Sequence, residues 1–492
     1  MGEKLNWSLA PLAAVLLFLR LSLADRLLRI AEMRSDTELG ALCARRGQVV
    51  GRSVAGLLFA LIAVWPVGAE QTLAVSLDQV RQQVVAQNPL LEIAKKEVDH
   101  ARAERLQALS GHLPQIHLSE RVLRSNDAVS AFSSKLKQEN FTHGDFAIDA
   151  LNRPEAISDI QTTIELRQPL FNGGLTLHGR GQATAALHAT QAQFVRRQQQ
   201  IELQATEAYW GLVLAREGLE VVRTGLVAAR EFAAVARAHH QQQIVPLTDL
   251  LAAELRVAEL ASAEIAADNR IGEANDKLSL LLGLHSTVEV VPLDSLVQDE
   301  VEAELSALVV NALQSRPDLG AMGYQVEAAR KGVRVERAEY LPHLNAFARI
   351  DLNAEELFAR QGESWMVGVV MSWNLFSGFA TVGAVRQAEA RLAQAKAQDR
   401  YLHQQIERQV RRAFREVTAA QARIRIGEQT VRHARERRRI SQRQYAAGLS
   451  TVADLLATEA GLTDAWIRHL EDLHVLGIGL ARLEFAVGEF VE

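Results

Sequence analysis

The chain has 492 residues, a formal net charge of −5, only 5% aromatic residues and 10 prolines. Its length could hold several ordinary domains, but no Ser/Gly-rich linker divides it, so we predict one elongated unit. Ala, Gln, Arg, Glu and Leu dominate long stretches, which is typical of long helices. Without the first 69 residues the net charge becomes about −8, which argues against nucleic acid as a partner.

Residues 1–69 have the pattern of a signal or targeting region. Arg45, Arg46 and Arg52 precede an apolar run from Val54 to Val64, and Val67-Gly68-Ala69 resembles a small-residue cleavage site. The run is much shorter than the ~20 residues that a membrane-spanning helix needs. We therefore predict a secretory signal peptide cleaved after Ala69 rather than an uncleaved anchor.

Two further features of this region bear on the mature chain. A second apolar run, Leu9 to Leu19, lies upstream of the signal, so we treat Met33 as a candidate translation start. The single cysteine, Cys43, also precedes the signal's apolar run. The mature chain is therefore expected to contain no disulfide and no cysteine that could be lipidated.

The rest of the chain is a duplication, because landmarks recur in the same order. Asn88-Pro89 recurs as Arg316-Pro317, and Leu113-Pro114 as Leu341-Pro342, both 228 positions on. Later landmarks recur 205 positions on: Leu170-Phe171-Asn172-Gly173 as Leu375-Phe376-Ser377-Gly378, Asp249-Leu250-Leu251 as Asp454-Leu455-Leu456, and Gly283 as Gly488. The spacing falls once, from 228 to 205, so the first copy carries 23 extra residues at that point. We assign residues 70–290 to the first repeat and 291–492 to the second.

Each repeat is predicted to open with a helix. Ser76-Leu77-Asp78-Gln79 is a capping box that begins a helix to about Leu109, and the second repeat has an equivalent from about Leu305 to Glu339. Leu113-Pro114 and Leu341-Pro342 end these helices, because the residue before a proline is disfavoured in helical geometry.

After each Leu-Pro pair the hydrophobic pattern alternates. Two runs have one apolar and one polar face: Ile160, Thr162, Ile164 and Leu166 against Gln161, Thr163, Glu165 and Arg167, and Leu344, Ala346, Ala348, Ile350 and Leu352 against Asn345, Phe347, Arg349 and Asp351. This period is typical of a strand with lipid on one side and water on the other.

Two weaker strands, Gln115 to Arg124 and Trp365 to Asn374, complete a hairpin in each repeat. The hairpins span about 115–169 and 343–375, and the extra residues form an external loop at about 125–158. The sequence therefore predicts four strands per chain.

Two proline-free stretches, Phe171 to His240 and Phe376 to Ala447, predict the longest helices. In the first, apolar residues follow heptad spacing along one seam: Ile201, Ala205, Ala208, Leu212, Ala215, Leu219, Val222, Leu226, Ala229, Ala233 and Ala236. At 1.5 Å per residue such a helix reaches ~100 Å. Each chain segment then turns, near Val245-Pro246 or Gly448-Leu449, into a returning helix about half as long, so two shorter helices can stack end to end beside it.

A four-stranded sheet cannot stand alone in lipid, because its edges would expose unpaired backbone groups. Three chains would supply twelve strands, an even number within the range of outer-membrane barrels, around a lumen lined by Glu165, Arg167, Arg349 and Asp351. The predicted fold is therefore mainly α with a membrane β part. A duplicated helix–strand–strand–helix unit forms a trimeric 12-stranded β-barrel, continued by a long α-helical periplasmic barrel.

Residues 75–490 resemble the TolC-type outer membrane efflux protein family. The resemblance rests on the duplication, the Leu-Pro junctions, the strand-to-helix junctions after Phe171 and Phe376, and the similarity of Tyr445-Ala446-Ala447-Gly448 and Asp454-Leu455-Leu456 to the family's periplasmic tip. It implies a trimeric channel-tunnel in the outer membrane of a Gram-negative-type bacterium. Such a tunnel is the exit duct of a tripartite efflux or type I secretion system.

The partners that the resemblance implies are a homotrimer, outer membrane lipid, a periplasmic adaptor (membrane fusion) protein and an inner-membrane pump. We expect no enzymatic activity and no cofactor, since no phosphate loop, nucleophile constellation or metal-ligand spacing rises above chance.

The resemblance also assigns a periplasmic gate. It places Asp454 in a ring of three aspartates that narrows the pore and favours cations, although Ala457 stands where the family has a second acid. It joins Asp249 and Tyr445 by a hydrogen bond that helps to hold the tip closed. The alternatives are structural: Thr451-Val452-Ala453-Asp454 also fits a capping box, and the other two suit a helix-start acid and a packed tyrosine.

The tip turns are the predicted adaptor contact. Gly448, Leu449 and Thr451 correspond to the turn that adaptor hairpins grip, whereas Gln243 and Ile244 in the first repeat depart from the family pattern. Gly448 would alternatively be only a helix C-cap.

Two features of the barrel leave alternatives open. Phe171, Trp365, Trp373 and Phe376 lie at strand ends, where an aromatic girdle would meet the membrane interface. Packing between strand and helix is the alternative for Phe171 and Phe376. The extra residues around Ser130 to Asn152 would either seal the external mouth or only decorate it.

The alternative function is a soluble periplasmic coiled-coil adaptor or structural protein without a pore, in which the strands would form a soluble sandwich. Adaptors, however, carry one helical hairpin flanked by β domains and not two copies of helix–strand–strand–helix. The sequence therefore favours the channel, but it does not identify the exported cargo.

Overall fold

The computed structural model describes residues 71–285, 287–296, 304–356, 359, 361–447 and 449–488. The predicted signal region with its candidate start, Met33, lies outside these residues, and so does Gly448 of the predicted adaptor contact. Within the described residues, no helix is both long enough and apolar enough to cross a membrane.

Both repeats consist of helices that flank a β-hairpin. The first contains β1 (Gln71–Val75), α1 (Leu77–Gln87), α2 (Pro89–Leu109), β2 (Gln115–Ser125), α3 (Ala128–Lys137), α4 (Ile148–Asn152), β3 (Ile157–Asn172), α5 (Leu175–Gln241), α6 (Leu247–Leu282) and β4 (Val288–Pro292). The second contains α7 (Leu305–Ser315), α8 (Pro317–Ala338), β5 (His343–Ala354), β6 (Gly362–Ser372), α9 (Ala380–Ala446) and α10 (Val452–Val487). The duplication extends to length, since α5 and α9 have 67 residues each and α6 and α10 have 36 each.

The opening segment of each repeat is two helices and not one. The chain is extended at Asn88, between α1 and α2, and at Arg316, between α7 and α8, with ψ of 123° and 124°. The prediction of a single opening helix is therefore wrong, because each of these residues precedes a proline and is pushed out of helical geometry. The capping box at Ser76 is confirmed.

The strands β2, β3, β5 and β6 form one antiparallel sheet in that order. Glu165 lies opposite Arg349 and Thr163 opposite Asp351. The polar residues of the two alternating runs therefore share one face and the apolar residues the other, which confirms the predicted pattern.

A second sheet was not predicted. β1 pairs in parallel with β4, so the described residues contain six strands, and the prediction of four is wrong. Each of these two strands has five residues, which is too short for alternation to be distinguished from chance.

The helices pack side by side. α5 packs against α2 and α6 of its own repeat and against α8 and α10 of the second repeat. α9 packs against α8 and α10 in turn. The predicted stacking of two short helices beside each long one is confirmed, and ten of the eleven predicted seam residues of α5 are buried, all except Ala215.

The largest core cluster lies where the short helices meet. It joins α1, α7, the small parallel sheet and the ends of the returning helices to the middle of α5 and α9. Its fully buried side chains include Val80, Tyr209, Leu282, Ile406 and Leu476. This core fixes the four-stranded sheet at one end of the long helices and the turns at the other.

Candidate functional site

The four predicted lumen residues lie together on the polar face of the sheet. Glu165 pairs with Arg167 two residues along β3, and lies opposite Arg349 on β5. Arg349 Nη2 donates to Asp351 Oδ1 at 2.8 Å, and Thr163 Oγ1 donates to the same oxygen at 2.6 Å. Opposite charges are therefore paired along each strand, and the two pairs lie side by side on neighbouring strands, which suits a face in contact with water.

The other face of the sheet is mostly apolar, and Glu120 and Glu363 are its charged members, in the same row as Thr162 and Leu352. Its exposed apolar members in the single chain are Ile116, Leu118, Val122, Leu166, Trp365, Val367, Val369 and Met371. An exposed apolar face of this size is normally covered in a folded protein. Lipid around a barrel would cover it.

The predicted girdle residues lie at the two ends of the sheet. Trp365 is near the start of β6, while Phe171, Trp373 and Phe376 are near the long helices. Trp373 Nε1 donates to the Tyr340 carbonyl at 3.0 Å. Phe171 and Phe376 are both exposed, so neither is packed between strand and helix within one chain. Their role as a membrane girdle stays a prediction.

The tip of the second repeat contains the capping box proposed as the alternative for Asp454. Thr451 Oγ1 donates to Asp454 Oδ2 at 2.7 Å, and the Asp454 N–H donates to Thr451 Oγ1 at 3.2 Å. The hydrogen bonds from Thr451, with a smaller effect of the Arg437 charge, hold the pKa of Asp454 below its ordinary value. The carboxylate is exposed, so it is charged at neutral pH. The capping role is confirmed, and a gate role is compatible with it.

Asp249 and Tyr445 lie close to each other at the two tip turns. Burial, and then the negative charge of Asp249, raise the pKa of Tyr445. Among the described residues, no hydrogen bond joins these two side chains within one chain. The predicted link between them therefore stays a prediction.

The two tip turns have the same backbone closure. Ile244 N–H and Leu449 N–H each donate to the carbonyl five residues earlier, at 2.9 and 2.8 Å. Gln243 has a φ of +62°, the left-handed conformation that favours glycine, and Gly448 occupies the matching sequence position. The side chains of Ile244 and Leu449 are 63% and 80% exposed, so both turns present an unpartnered apolar side chain at the tip.

A polar junction near the middle of the molecule was missed by the sequence analysis. Asn88 Nδ2 donates to the Leu281 carbonyl at 2.8 Å, and Arg316 Nη1 donates to the Ala486 carbonyl at 3.0 Å. In each repeat, the residue before the proline thus binds the last turn of the returning helix. The recurring Asn-Pro and Arg-Pro pairs were the only sequence sign of this contact.

In the second repeat this junction is a charged cluster. The Arg316 side chain is only 2% exposed, and its Nη2 and Nε donate to the two Asp318 carboxylate oxygens at 2.6 and 3.0 Å. Arg196 lies 3.8 Å from Asp318, and its guanidinium carbon lies 3.5 Å from the Phe485 ring centroid. Burial and the Arg316 charge lower the pKa of Arg196 to about 10. This cluster ties α5, α8 and α10 together.

The remaining surface offers little for a cofactor or metal. Within the described ranges, no three His, Cys, Asp or Glu side chains could hold a metal ion together. A groove of about 410 Å³ between α9 and α10 is rich in arginine. Most of these arginines already have acidic partners in the chain: Arg412 with Glu416, Arg423 with Asp472 and Arg482 with Glu207.

The architecture and the two repeats have a match among known families. The family model described as outer membrane efflux protein matches residues 80–284 and 308–489. The chain belongs to this family. The two matched segments fall inside the two predicted repeats, and membership makes the chain an outer membrane exit duct for efflux or secretion, with a helical part in the periplasm.

Curated relatives and solved structures agree. The chain is 27% identical to the alkaline protease secretion protein AprF of Pseudomonas aeruginosa over 410 residues, 82% of each chain. It is 22% identical to the outer membrane protein TolC of Vibrio cholerae over 346 residues, 68% of this chain and 78% of that protein. The fold is similar to the CmeC outer membrane channel of Campylobacter jejuni, with a TM-score of 0.74, 16% identity and coverage of 84% and 85%. The fold is also similar to the outer membrane protein VceC of Vibrio cholerae, with a TM-score of 0.70, 19% identity and coverage of 84% of this chain and 96% of that chain. The predicted TolC-like fold is thereby confirmed.

Proposed function

We propose that three copies of this chain form one channel-tunnel, gated at its periplasmic tip, as the exit duct of a tripartite export system. The four-stranded sheet carries the proposal. Its edge strands β2 and β6 have open backbone groups, and each unsatisfied group in hydrocarbon costs several kcal/mol. β2 and β6 run in opposite directions, so β6 of one copy can pair antiparallel with β2 of the next. Three copies close the ring with twelve strands, an even number as in single-chain barrels.

In this assembly the polar face of the sheet lines the lumen. The ladder of Glu165, Arg167, Arg349 and Asp351 is then repeated three times around the barrel. Its opposite charges are already paired within each chain, so the ladder places no net charge in the path of the cargo. Selectivity for ions must come from elsewhere, and the tip is the proposed place.

The gate is formed by the tip turns. Three Asp454 carboxylates meet there, each held at the start of α10 by Thr451 and each charged at neutral pH. Asp249 and Tyr445 supply the contact that holds neighbouring turns together. Opening means that the helices splay at the tip, and a partner that binds the open form better shifts the equilibrium toward it.

The partner at this end is a periplasmic adaptor that connects the duct to an inner-membrane pump. The exposed side chains of Ile244 and Leu449 are the apolar centre of its contact, Gln243 and Thr451 are the polar part, and Gly448 contributes its backbone. A helical hairpin of the adaptor with a small apolar face would cover both side chains. AprF and the proteases secretion protein PrtF of Dickeya chrysanthemi, which is 25% identical over 305 residues, are named for protease secretion. Their similarity favours type I secretion of a protein over drug efflux.

The gate is tested by ion selectivity in planar bilayers. Asp454→Asn keeps an acceptor oxygen for the Thr451 cap but removes the charge, so a loss of cation selectivity with unchanged trimer stability supports the ring of aspartates. Asp464→Asn, an exposed acid further along α10, is the matched control and should leave selectivity unchanged. Equal selectivity in wild type and Asp454→Asn would contradict the gate assignment. Absence of any channel would favour the soluble coiled-coil alternative.

A further inference from the structure

The connection between β2 and β3, residues 126–156, is a folded unit and not an open loop. Its centre is a cluster of three aromatic rings. Phe132 and Phe141 lie 4.8 Å apart edge to face, and Phe141 and Phe146 lie 5.1 Å apart in the same manner. Such pairs add about 0.5–1.5 kcal/mol each beyond the burial of their area. The matching connection in the second repeat has only the seven residues 355–361.

Polar contacts hold the ends of this unit. Lys135 Nζ donates to Asp145 Oδ1 at 2.5 Å, and the Thr142 N–H donates to Asp145 Oδ2 at 2.7 Å. These hydrogen bonds lower the pKa of Asp145 to about 2. Asp127 caps α3, since it accepts from the Ser130 N–H at 2.9 Å. The unit is therefore held together by contacts among its own residues.

The end of α3 is attached to the polar face of the sheet. Gln138 is only 1% exposed, and its Nε2 donates to the Ser158 carbonyl at 2.8 Å and to Asp159 Oδ1 at 3.1 Å. Asn353 Nδ2 donates to the same Asp159 oxygen at 3.0 Å. Along β3, residues two apart share a face, so Asp159 faces the same way as Glu165. Gln138 thus reaches the sheet from the polar side.

Gly362 gives a second, independent indication of this attachment. It lies opposite Asn353 at the start of β6, so a side chain at Gly362 would point to the same polar face. A Cβ atom there would overlap the Lys137 carbonyl oxygen. Glycine is required at this position because the end of α3 lies directly against the strand.

We propose that residues 126–156 form a cap on the lumen side of the external mouth, so that the duct has a size-limiting element at its external end as well as a gate at its tip. The proposal rests on the proposed function, in which the polar face of the sheet lines the lumen. Three caps, one from each chain, narrow the mouth and hinder bulky solutes from entering. A large exported cargo must displace the caps. Displacement requires breaking the hydrogen bonds of Gln138 to β3 and separating the Lys137 carbonyl from Gly362.

The cap is tested by access to a single cysteine below it. The mature chain is expected to have no cysteine, so Ser119→Cys on β2, opposite Thr163 on the polar face, is a unique label site. Whole cells are treated from outside with either a small maleimide or a long polyethylene-glycol maleimide. Replacing residues 126–156 by the seven residues of the other connection should raise the rate at which the long reagent labels the cysteine. The labelling rate of the small reagent should stay unchanged. If the mouth is open one-tenth of the time, the expected rise is about tenfold.

A point variant separates the attachment of the cap from its presence. Gly362→Val pushes the Lys137 carbonyl away and should raise labelling by the long reagent, as the replacement does. Gln138→Ala removes two hydrogen bonds without adding atoms, so it should act in the same direction even if the valine variant fails to assemble. The matched control is Gly144→Ala within the cap, where a Cβ meets only Thr142 Oγ1 at 3.8 Å. Equal labelling by the long reagent with and without the cap would overturn the proposal.

A second cysteine distinguishes failure of the cap from failure of the proposed function. Leu118→Cys is adjacent to Ser119 but lies on the apolar face. In a membrane barrel neither water-soluble reagent should label it. If Leu118→Cys reacts as fast as Ser119→Cys, the sheet is not in lipid, and the channel itself is contradicted rather than the cap.

Discussion

The two repeats secure the same junction with different side chains. Asn88 binds the Leu281 carbonyl in the first repeat, and Arg316 binds the Ala486 carbonyl in the second. The two contacts are related by the spacings of the duplication. Arg316, however, is a buried charge that needs Asp318 as a partner, whereas the amide of Asn88 is neutral. Both repeats have thus kept the contact to a backbone carbonyl, but only the second has a buried charge network. Removing one partner of such a network destabilises a protein strongly, whereas replacing the whole network by apolar residues is often nearly neutral.

The largest predicted effect breaks this network. Arg316→Ala leaves Asp318 largely buried without its main partner and the Ala486 carbonyl without its donor, so we expect a loss of about 3–5 kcal/mol of stability. Asn88→Ala removes one neutral hydrogen bond and one helix cap, so we expect about 1–2 kcal/mol. Thermal unfolding in detergent, followed by circular dichroism, measures both. Equal losses would show that the two junctions are energetically the same.

The second largest predicted effect is a loss of stability at low pH, which concerns the charged junction of the second repeat and not the neutral junction of the first. Burial would raise the pKa of Asp318, but the hydrogen bonds and charge of Arg316 outweigh it and keep that pKa below its ordinary value. A carboxylate with a lowered folded pKa stabilises above its unfolded pKa of about 4, and this stability is lost as the pH falls through the folded pKa. Glu484 acts the other way, since burial raises its pKa and its protonation favours the folded state.

The Tm should therefore decrease as the pH falls below about 4, the ordinary pKa of an aspartate. In Asp318→Asn this decrease should be smaller. Asp464→Asn, an exposed acid outside the cluster, is the control and should keep the wild-type slope. An unchanged acid slope in Asp318→Asn would contradict the role of this carboxylate.

At the tip, the second turn has a capping box and the first does not. The helix α6 starts at Pro246 without a side-chain cap, while Thr451 caps α10. Thr451→Ala should destabilise its helix start by about 1 kcal/mol. In Thr451→Ala we expect faster hydrogen exchange and faster proteolysis, both confined to the tip turn of the second repeat. Thr248→Ala, in the first turn, is the matched substitution and should change neither; similar effects of the two would show that the cap is energetically unimportant.

The smallest predicted effect is a gain. Gln243 adopts a left-handed conformation at a position where the second repeat has a glycine, so Gln243→Gly should relieve strain of roughly 1 kcal/mol, less the entropy that glycine loses on folding. We expect a slightly higher Tm. Gln242→Gly is the control, because Gln242 has a φ of −85° and glycine there brings only the entropic cost. A decrease in Tm for both variants would show that the left-handed residue is not strained.

Much of the fold was predictable because its determinants are periodic. Alternation assigned Glu165 and Arg349 to one face of the sheet, and heptad spacing located the buried seam of α5. The junction was not predictable, since Asn88 and Arg316 bind carbonyls 193 and 170 residues away, and no local pattern encodes such a partner. At the site, the sequence predicted the Thr451–Asp454 capping box, because its residues are three positions apart. The contact between Gln138 and Asp159 was not predictable, because it depends on how the β2–β3 connection folds against the sheet.

The most direct test of the central claim is the subunit count of the detergent-released protein by native mass spectrometry. Closure of β2 against β6 of a neighbour predicts a complex of three chains that heating converts to monomers. A folded, pore-forming monomer would contradict the account, because four strands cannot close a barrel.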